Sequence, residues 1–213
     1  MIKCVLFDMD GTLSNTLDDL KVALNYTLNK LGLPLRSSAE VLSYVGNGID
    51  ALVRRGLPEN AKDRFCEALP IFKEYYKNHL TDYTRPYDGV NETIDTLKSM
   101  GIKVGIISNK LQAPLEDIVH SFWGDKIDAV CGITDYYPPK PSPDMVYICL
   151  DKMGVKLEDA IYVGDSLVDV QTANNAMAHF VACSWGCSTK EALIGAGATE
   201  IIDNPLQVLD YIK

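Results

Sequence analysis

Ile2-Lys3-Cys4-Val5-Leu6-Phe7-Asp8-Met9-Asp10-Gly11-Thr12-Leu13 is the stretch from which the rest of the chain can be read. Ile2–Phe7 is a short apolar run that ends at a carboxylate, so it reads as a buried strand stopping at Asp8. Helix, not strand, comes next. Over residues 15–31, Leu17, Leu20, Leu24, Leu28 and Leu31 are spaced 3, 4, 4 and 3 apart, along one helix face. Asp18 and Asp19 suit the first turn of that helix and Gly32 its stop. Ser37-Ser38-Ala39-Glu40 is a capping-box pattern that opens another helix. A further helical stretch covers 60–79, with Phe65, Leu69, Phe72, Tyr75 and Tyr76 expected inside and Pro70 expected to kink or split it.

Beyond Arg85-Pro86 the pattern becomes an alternation. Helix 89–100 leads to strand 103–108, helix 114–122 to strand 128–132, and helix 143–153, with Ser142 as cap and Pro143 as first residue, to strand 160–164. Helix 167–176, strand 179–183, helix 189–195, a short strand near 200–202 and a helix over 205–212 complete it. Strands alternating with helices imply a parallel sheet covered on both faces, an α/β Rossmann-like core. Four helices between the first two strands exceed what one crossover needs. The expected organisation is therefore a core domain of residues 1–14 and 82–213 with an inserted α-helical domain over 15–81.

Composition bounds the function. The 213 residues, 47% hydrophobic and 23% charged, suit a globular protein with a sizeable core. No apolar run approaches the roughly 18 residues of a membrane span, and the N-terminal apolar stretch is too short for a signal-peptide core. Both point to the cytoplasm and away from a membrane partner. A net charge of −9 without a Lys/Arg run gives no footprint for nucleic acid. Six dispersed cysteines with no C-x-x-C pair, and three histidines without ligand spacing, read as reduced core residues and lone histidines, not a zinc site. The composition leaves monomer and homodimer equally open.

In open α/β sheets, ligands bind beyond the carboxyl ends of the strands. Asp8 and Asp10 follow the first strand, Ser108-Asn109 the second, and Asp165 the strand 160–164, with Asp169 four residues on. Lys140 precedes helix 143–153. Four acids, a hydroxyl and an ammonium group at one sheet edge fit phosphoryl transfer. A hard divalent cation such as Mg²⁺ relieves carboxylate repulsion through oxygen ligands. One carboxylate can attack phosphorus, and a second, two residues away, can move the proton. A hydroxyl and an ammonium can hold the phosphate oxygens.

Phe7-Asp8-Met9-Asp10-Gly11-Thr12-Leu13 resembles the first motif of the haloacid dehalogenase superfamily. Ser108-Asn109 resembles the second, Lys140 the third, and Gly164-Asp165-Ser166-Leu167-Val168-Asp169 the fourth. The four occur in order over nearly the whole chain. By that resemblance Asp8 is nucleophile and Mg²⁺ ligand, and Asp10 is general acid/base and gives its backbone carbonyl to the metal. Asp165 and Asp169 complete the metal site, while Ser108, Asn109 and Lys140 hold phosphate, Lys140 also orienting Asp8. The inserted helices match the family's cap domain, which closes over substrate. The chain departs from many members in having Ser14-Asn15 where an acid is common, which bears on contacts with the cap.

The resemblance implies a phosphatase acting on a small phosphorylated metabolite. Asp10 argues against dehalogenation, because halide leaves without a proton, and the absence of spans argues against a pump. Val45-Gly46-Asn47-Gly48-Ile49-Asp50-Ala51-Leu52-Val53-Arg54-Arg55-Gly56-Leu57 looks like the cap segment of bacterial phosphoglycolate phosphatases. A Gly46-Asn47-Gly48 turn at a helix start exposes N–H groups to an anion such as a substrate carboxylate, with Arg54 or its neighbour adding charge. Alternatives are a pyrophosphatase, a sugar-phosphate phosphatase, a β-phosphoglucomutase-like enzyme, or a phosphoacceptor signalling domain, which would not turn over repeatedly.

Overall fold

In the computed structural model, which describes residues 1–212, the opening apolar run forms β1 (Cys4–Phe7), buried along its whole length. The chain continues through β2 (Ser14–Asn15), α1 (Leu17–Lys30), α2 (Ser38–Leu42), α3 (Gly48–Gly56), α4 (Phe65–Lys77) and β3 (Arg85–Pro86). Helix and strand then alternate as α5 (Val90–Ser99), β4 (Lys103–Leu111), α6 (Gln112–Trp123), β5 (Ala129–Ile133), α7 (Asp144–Met153) and β6 (Ala160–Gly164). They end with α8 (Leu167–Ala176), β7 (His179–Cys183), α9 (Lys190–Gly195) and β8 (Ile201–Ile202). The closing segment Pro205–Tyr211 is 3₁₀ rather than α, capped by the Asn204 side chain on the Leu206 N–H. Pro143 stands at the N-cap of α7 instead of inside it, and Ser142 Oγ donates to the Asp144 carboxylate.

Met1–Ser14 and the chain from Pro86 onward make one compact unit, and Asn15–Arg85 makes another. In the first, six parallel strands run in the order β5-β4-β1-β6-β7-β8. The winding reverses at β1: the chain adds β4 and β5 on one side of it, then β6, β7 and β8 on the other. Phe7 lies opposite both Ile106 of β4 and Val163 of β6, so the residues after these three positions emerge together at a topological switch point. Every residue of β1 and β6 is buried, as expected of strands covered on both faces. Met145, Val146, Cys149 and Leu150 of α7 pack with Leu6, Ile107 and Cys131 in the core. Cys4, Cys131, Cys149 and Cys183 are buried free thiols, whereas Cys66 is exposed and Cys187 partly so, against the expectation that all six lie inside.

The second unit is helical. Leu20, Leu24 and Leu28 of α1 are buried while Leu17 and Leu31 at the ends of the row are only partly covered. Gly32 at φ +67° stops the helix, and the Leu33 N–H reaches back to the Leu28 carbonyl. The Ser37–Glu40 capping box forms in both directions. α4 runs unbroken through Pro70, so the expected split does not occur; a prolyl ring at its sixth position costs one hydrogen bond, and the apolar face holds the rest. Phe65, Phe72 and Tyr76 are buried, but Leu69 and Tyr75 are not. Tyr75 stacks between Tyr26 and His79, at 4.1 and 4.2 Å between ring centroids, which accounts for its place at the surface. The unit extends to Arg85 and not 81 because Asp19, buried near the start of α1, accepts the Tyr83 N–H at 3.0 Å and both the N–H and hydroxyl of Thr84 at 2.7 Å. No helix among the described residues is long and apolar enough to cross a membrane.

Candidate active site

The site forms where β1, β4 and β6 end. Asp8 follows β1 directly, and its N–H donates to the Val163 carbonyl at 2.9 Å, which anchors the carboxylate at the edge of the sheet. The chain then turns tightly: the N–H groups of Leu13 and Ser14 both donate to the Met9 carbonyl at 3.1 Å. Gly11 makes the turn possible in two ways. Its φ is +95°, and a Cβ there would lie 2.2 Å from Asp165 Oδ2. Thr12 braces the loop, its hydroxyl donating to Asp165 Oδ1 at 2.8 Å.

Lys140 reaches the same point from the loop before α7. Its buried ammonium donates to Asp8 Oδ1 at 2.8 Å and to Asp169 Oδ1 at 2.7 Å. Burial alone would push its pKa down, but the carboxylates of Asp169 and Asp8 hold it above the usual lysine value. Asn109 clamps the backbone of this lysine: the Lys140 N–H donates to Asn109 Oδ1 at 2.8 Å, and Asn109 Nδ2 donates to the Lys140 carbonyl at 3.0 Å. Its amide thus positions Lys140, beside which its expected part as a phosphate ligand stands as a proposal. Ser108 is buried beside it, and its Oγ accepts the Lys110 N–H at 3.3 Å.

Asp165 and Asp169 come from the β6–α8 junction, where Ser166 and Asp169 cap α8 reciprocally. Asp169 accepts from Lys140, from the Tyr162 hydroxyl and from both the N–H and Oγ of Ser166. The Lys140 ammonium and these hydrogen bonds keep Asp169 below the usual carboxylate range, although burial works against them. Asp8 and Asp165 are driven the other way. Burial, and then the charge of Asp169, raises Asp8 well above its ordinary value and Asp165 to about 6. Ligand oxygens of Asp8, Asp165 and Asp169 all lie within 4.8 Å of one another.

A sequence profile of the haloacid dehalogenase-like hydrolases matches residues 5–183. The chain belongs to that family. A phosphoglycolate phosphatase of Aquifex aeolicus is 31% identical to this hydrolase over 186 residues, covering 87% of this chain and 86% of that protein. Another, of Pseudomonas savastanoi pv. phaseolicola, is 34% identical over 221 residues, 99% of this chain and 77% of its own. A solved structure from Lactobacillus delbrueckii subsp. bulgaricus matches with a TM-score of 0.91 at 28% identity, covering 99% of this chain and 98% of that one. The hydrolase is an enzyme whose curated relatives are phosphatases.

Its donor set fits a divalent metal. Three buried carboxylates converge, and Asp8 and Asp165 are pushed toward protonation by burial and then by the charge of Asp169, which the Lys140 ammonium offsets only in part at Asp8. Hard oxygen donors of that kind suit Mg²⁺. Asp10 is the fourth acid, beside the cluster and not in it, and the ammonium of Lys110 stands 3.2 Å from its Oδ1.

Several contributors to the site carry no signal in the sequence. Lys110 is 3% exposed and reads there as a loop lysine. Tyr162 reads as an ordinary buried strand residue, although its hydroxyl also stands 3.3 Å from Lys140 Nζ. The loop after β7 supplies the Cys187 N–H to Asp165 Oδ2 at 2.6 Å and the Trp185 indole N–H to the Thr12 carbonyl at 3.0 Å. The small-aromatic-Gly run Ser184-Trp185-Gly186, directly after a strand, is the one clue the chain offers.

In the helical unit, Gly46 and Gly48 have φ of +105° and +81°, and Asn47 is the N-cap position of α3. Arg55, not Arg54, serves this turn: it donates to Asn47 Oδ1 at 2.8 Å and to the Tyr44 carbonyl at 3.0 Å. Arg54 instead lies over the Phe65 ring, 3.5 Å from its centroid. Adjacent helical residues point about 100° apart, so the cation–π contact takes Arg54 away from the turn.

Proposed function

We propose that this hydrolase is a Mg²⁺-dependent phosphatase of a small phosphorylated carboxylate of the phosphoglycolate type, with Asp8 as nucleophile and Asp10 as general acid/base. The observation that carries the reading is the buried arrangement of Asp8 against Lys140 at 2.8 Å, with Asp165 and Asp169 close by and a second carboxylate two residues along the loop. Asp8 attacks the phosphorus and forms an aspartyl phosphate, while Asp10 gives a proton to the departing oxygen. Asp10 then takes a proton from the water that attacks the phosphorus, releasing phosphate and restoring Asp8. Lys140 keeps Asp8 aimed, and with Ser108 it meets the phosphoryl oxygens.

Mg²⁺ would be held by Asp8, Asp165 and the Asp10 carbonyl, and when bound supplies positive charge against the phosphoryl oxygens. Asp169 suits a supporting part, since both its oxygens already accept hydrogen bonds. Selectivity is assigned to the Gly46–Gly48 turn at the start of α3, where helix N–H groups favour an anion. Names borne by relatives at 31–34% identity support the same substrate class.

The test is phosphate release across phosphoglycolate, sugar phosphates, nucleotides and pyrophosphate, with Mg²⁺ and again with EDTA. Phosphoglycolate is expected to lead in kcat/KM by at least about 100-fold, a margin that needs specific contacts. Comparable rates on every ester would remove the role of the turn. Turnover in EDTA would remove the metal, and full activity of Asp8→Asn the nucleophile.

A further inference from the structure

β4 does not stop at Ser108. It continues to Leu111, with a register irregularity against β5 between Ile107 and Leu111. That extension keeps Lys110 against the sheet end, so its side chain is buried and its ammonium stands 3.2 Å from Asp10 Oδ1. An ammonium this buried is costly unless paired. Lys140 hydrogen-bonds Asp8 and Asp169, Asp165 is held by Thr12 and the Cys187 N–H, and Lys110 pairs by charge with Asp10, whose Oδ1 is buried without a hydrogen bond.

A carboxylate's terminal torsion is broad and roughly two-fold, so packing alone orients it poorly. A proton carrier must bring one oxygen within about 2.6–3.2 Å of the reacting atom. We propose that Lys110 is a positioning residue for proton transfer: it holds Asp10 through Oδ1 and leaves Oδ2 to exchange the proton with the leaving oxygen. The inference rests on Asp10 being the acid/base. It differs from a phosphate-clamp role, in which Lys110 would bind substrate and act equally on every ester.

The test compares kcat/KM of the full-length enzyme, with Mg²⁺, on phosphoglycolate and on 2,4-dinitrophenyl phosphate, whose leaving group departs without a proton. Because kcat/KM ends at the first phosphoryl transfer, only the proton to the leaving group separates the two esters. Lys110→Met is expected to lose about 100-fold on phosphoglycolate and only a few-fold on the aryl ester, with the loss in kcat and not in KM. Asp10→Asn should show the same split, and the double variant should lose no more than Asp10→Asn alone. Thermal melting checks that each variant is folded, and Lys110→Gln carries the same test should Lys110→Met fail to fold. Equal losses on both esters with a raised KM, or additive losses in the double variant, overturn the assignment. If Asp10→Asn shows the split and the Lys110 variants do not, only the Lys110 role falls; if Asp10→Asn lacks it, the acid/base reading falls as well.

Discussion

Asp165 is held from three sides, and its surroundings leave little room for change. Thr12 and the Cys187 N–H each bond one of its oxygens, Gly11 packs on Oδ2, and a Cβ on Gly186 would meet both Asp165 Cβ and Oδ2 at 2.3 Å. Gly186→Ala therefore pushes Asp165 off its position without straining the backbone. Disturbing the groups that hold a metal ligand in place usually costs about 10- to 100-fold in metal affinity. The Mg²⁺ concentration needed for half-maximal activity is expected to rise by that factor; an unchanged requirement would mean Asp165 is not a ligand. The hydroxyl of Thr12 and the glycine at position 11 belong to the D-x-D-G-T pattern that the sequence displays openly, whereas Gly186 is separated from Asp165 by a strand and a helix.

At the scale of elements, one buried carboxylate fastens the two ends of the helical insert. Asp19, in the first turn of α1, accepts from three donors of Tyr83 and Thr84, more than 60 residues away in sequence. An acid there is readable as a partner for the helix dipole, and Asp18 does lie exposed, paired with Lys21 at 2.5 Å. Nothing in the local pattern distinguishes Asp19, one position later, as a clasp. Asp19→Ala leaves buried N–H donors unmet and is expected to destabilise the helical unit by roughly 2–4 kcal/mol. Hydrogen exchange over residues 81–85 would rise in step with the loss; protection as in the wild type would show that the packed helices alone hold the return strand. The mistaken expectations about Leu69 and Tyr75 belong here too, since a helical row says which residues share a face but not where that face ends.

Across the whole molecule, the carboxylate cluster links pH to stability, and the proposed metal would enter through the same groups. Burial, and then the charge of Asp169, pushes Asp165 up to about 6 and Asp8 well above its ordinary value. Raised folded-state values mean these groups favour the folded, metal-free protein when protonated, with the benefit full below their ordinary range near pH 4 and, for Asp165, lost as pH rises through about 6. Asp169, held low, acts oppositely, but only at more acidic pH. On the proposed reading, Mg²⁺ would compete with those protons and bind the folded state alone. Saturating Mg²⁺ should raise Tm by about 5 °C at pH 7.5 and by clearly less at pH 5. A pH-independent increment would place the cation elsewhere. The sequence by itself determined the parallel α/β core, the helical insert and the four acids, serine and lysine at one sheet edge, because buried strands, caps and Asp-Gly turns are local features written in neighbouring residues. Tertiary structure alone decided that Lys110 faces Asp10, that Tyr162 and the Trp185–Cys187 loop support the acids, that Asn109 serves Lys140, and that Arg55 rather than Arg54 serves the α3 turn. Those assignments depend on strand register and on partners far apart in the chain, 153 residues in the case of Thr12 and Asp165, and no local pattern encodes a distance through space.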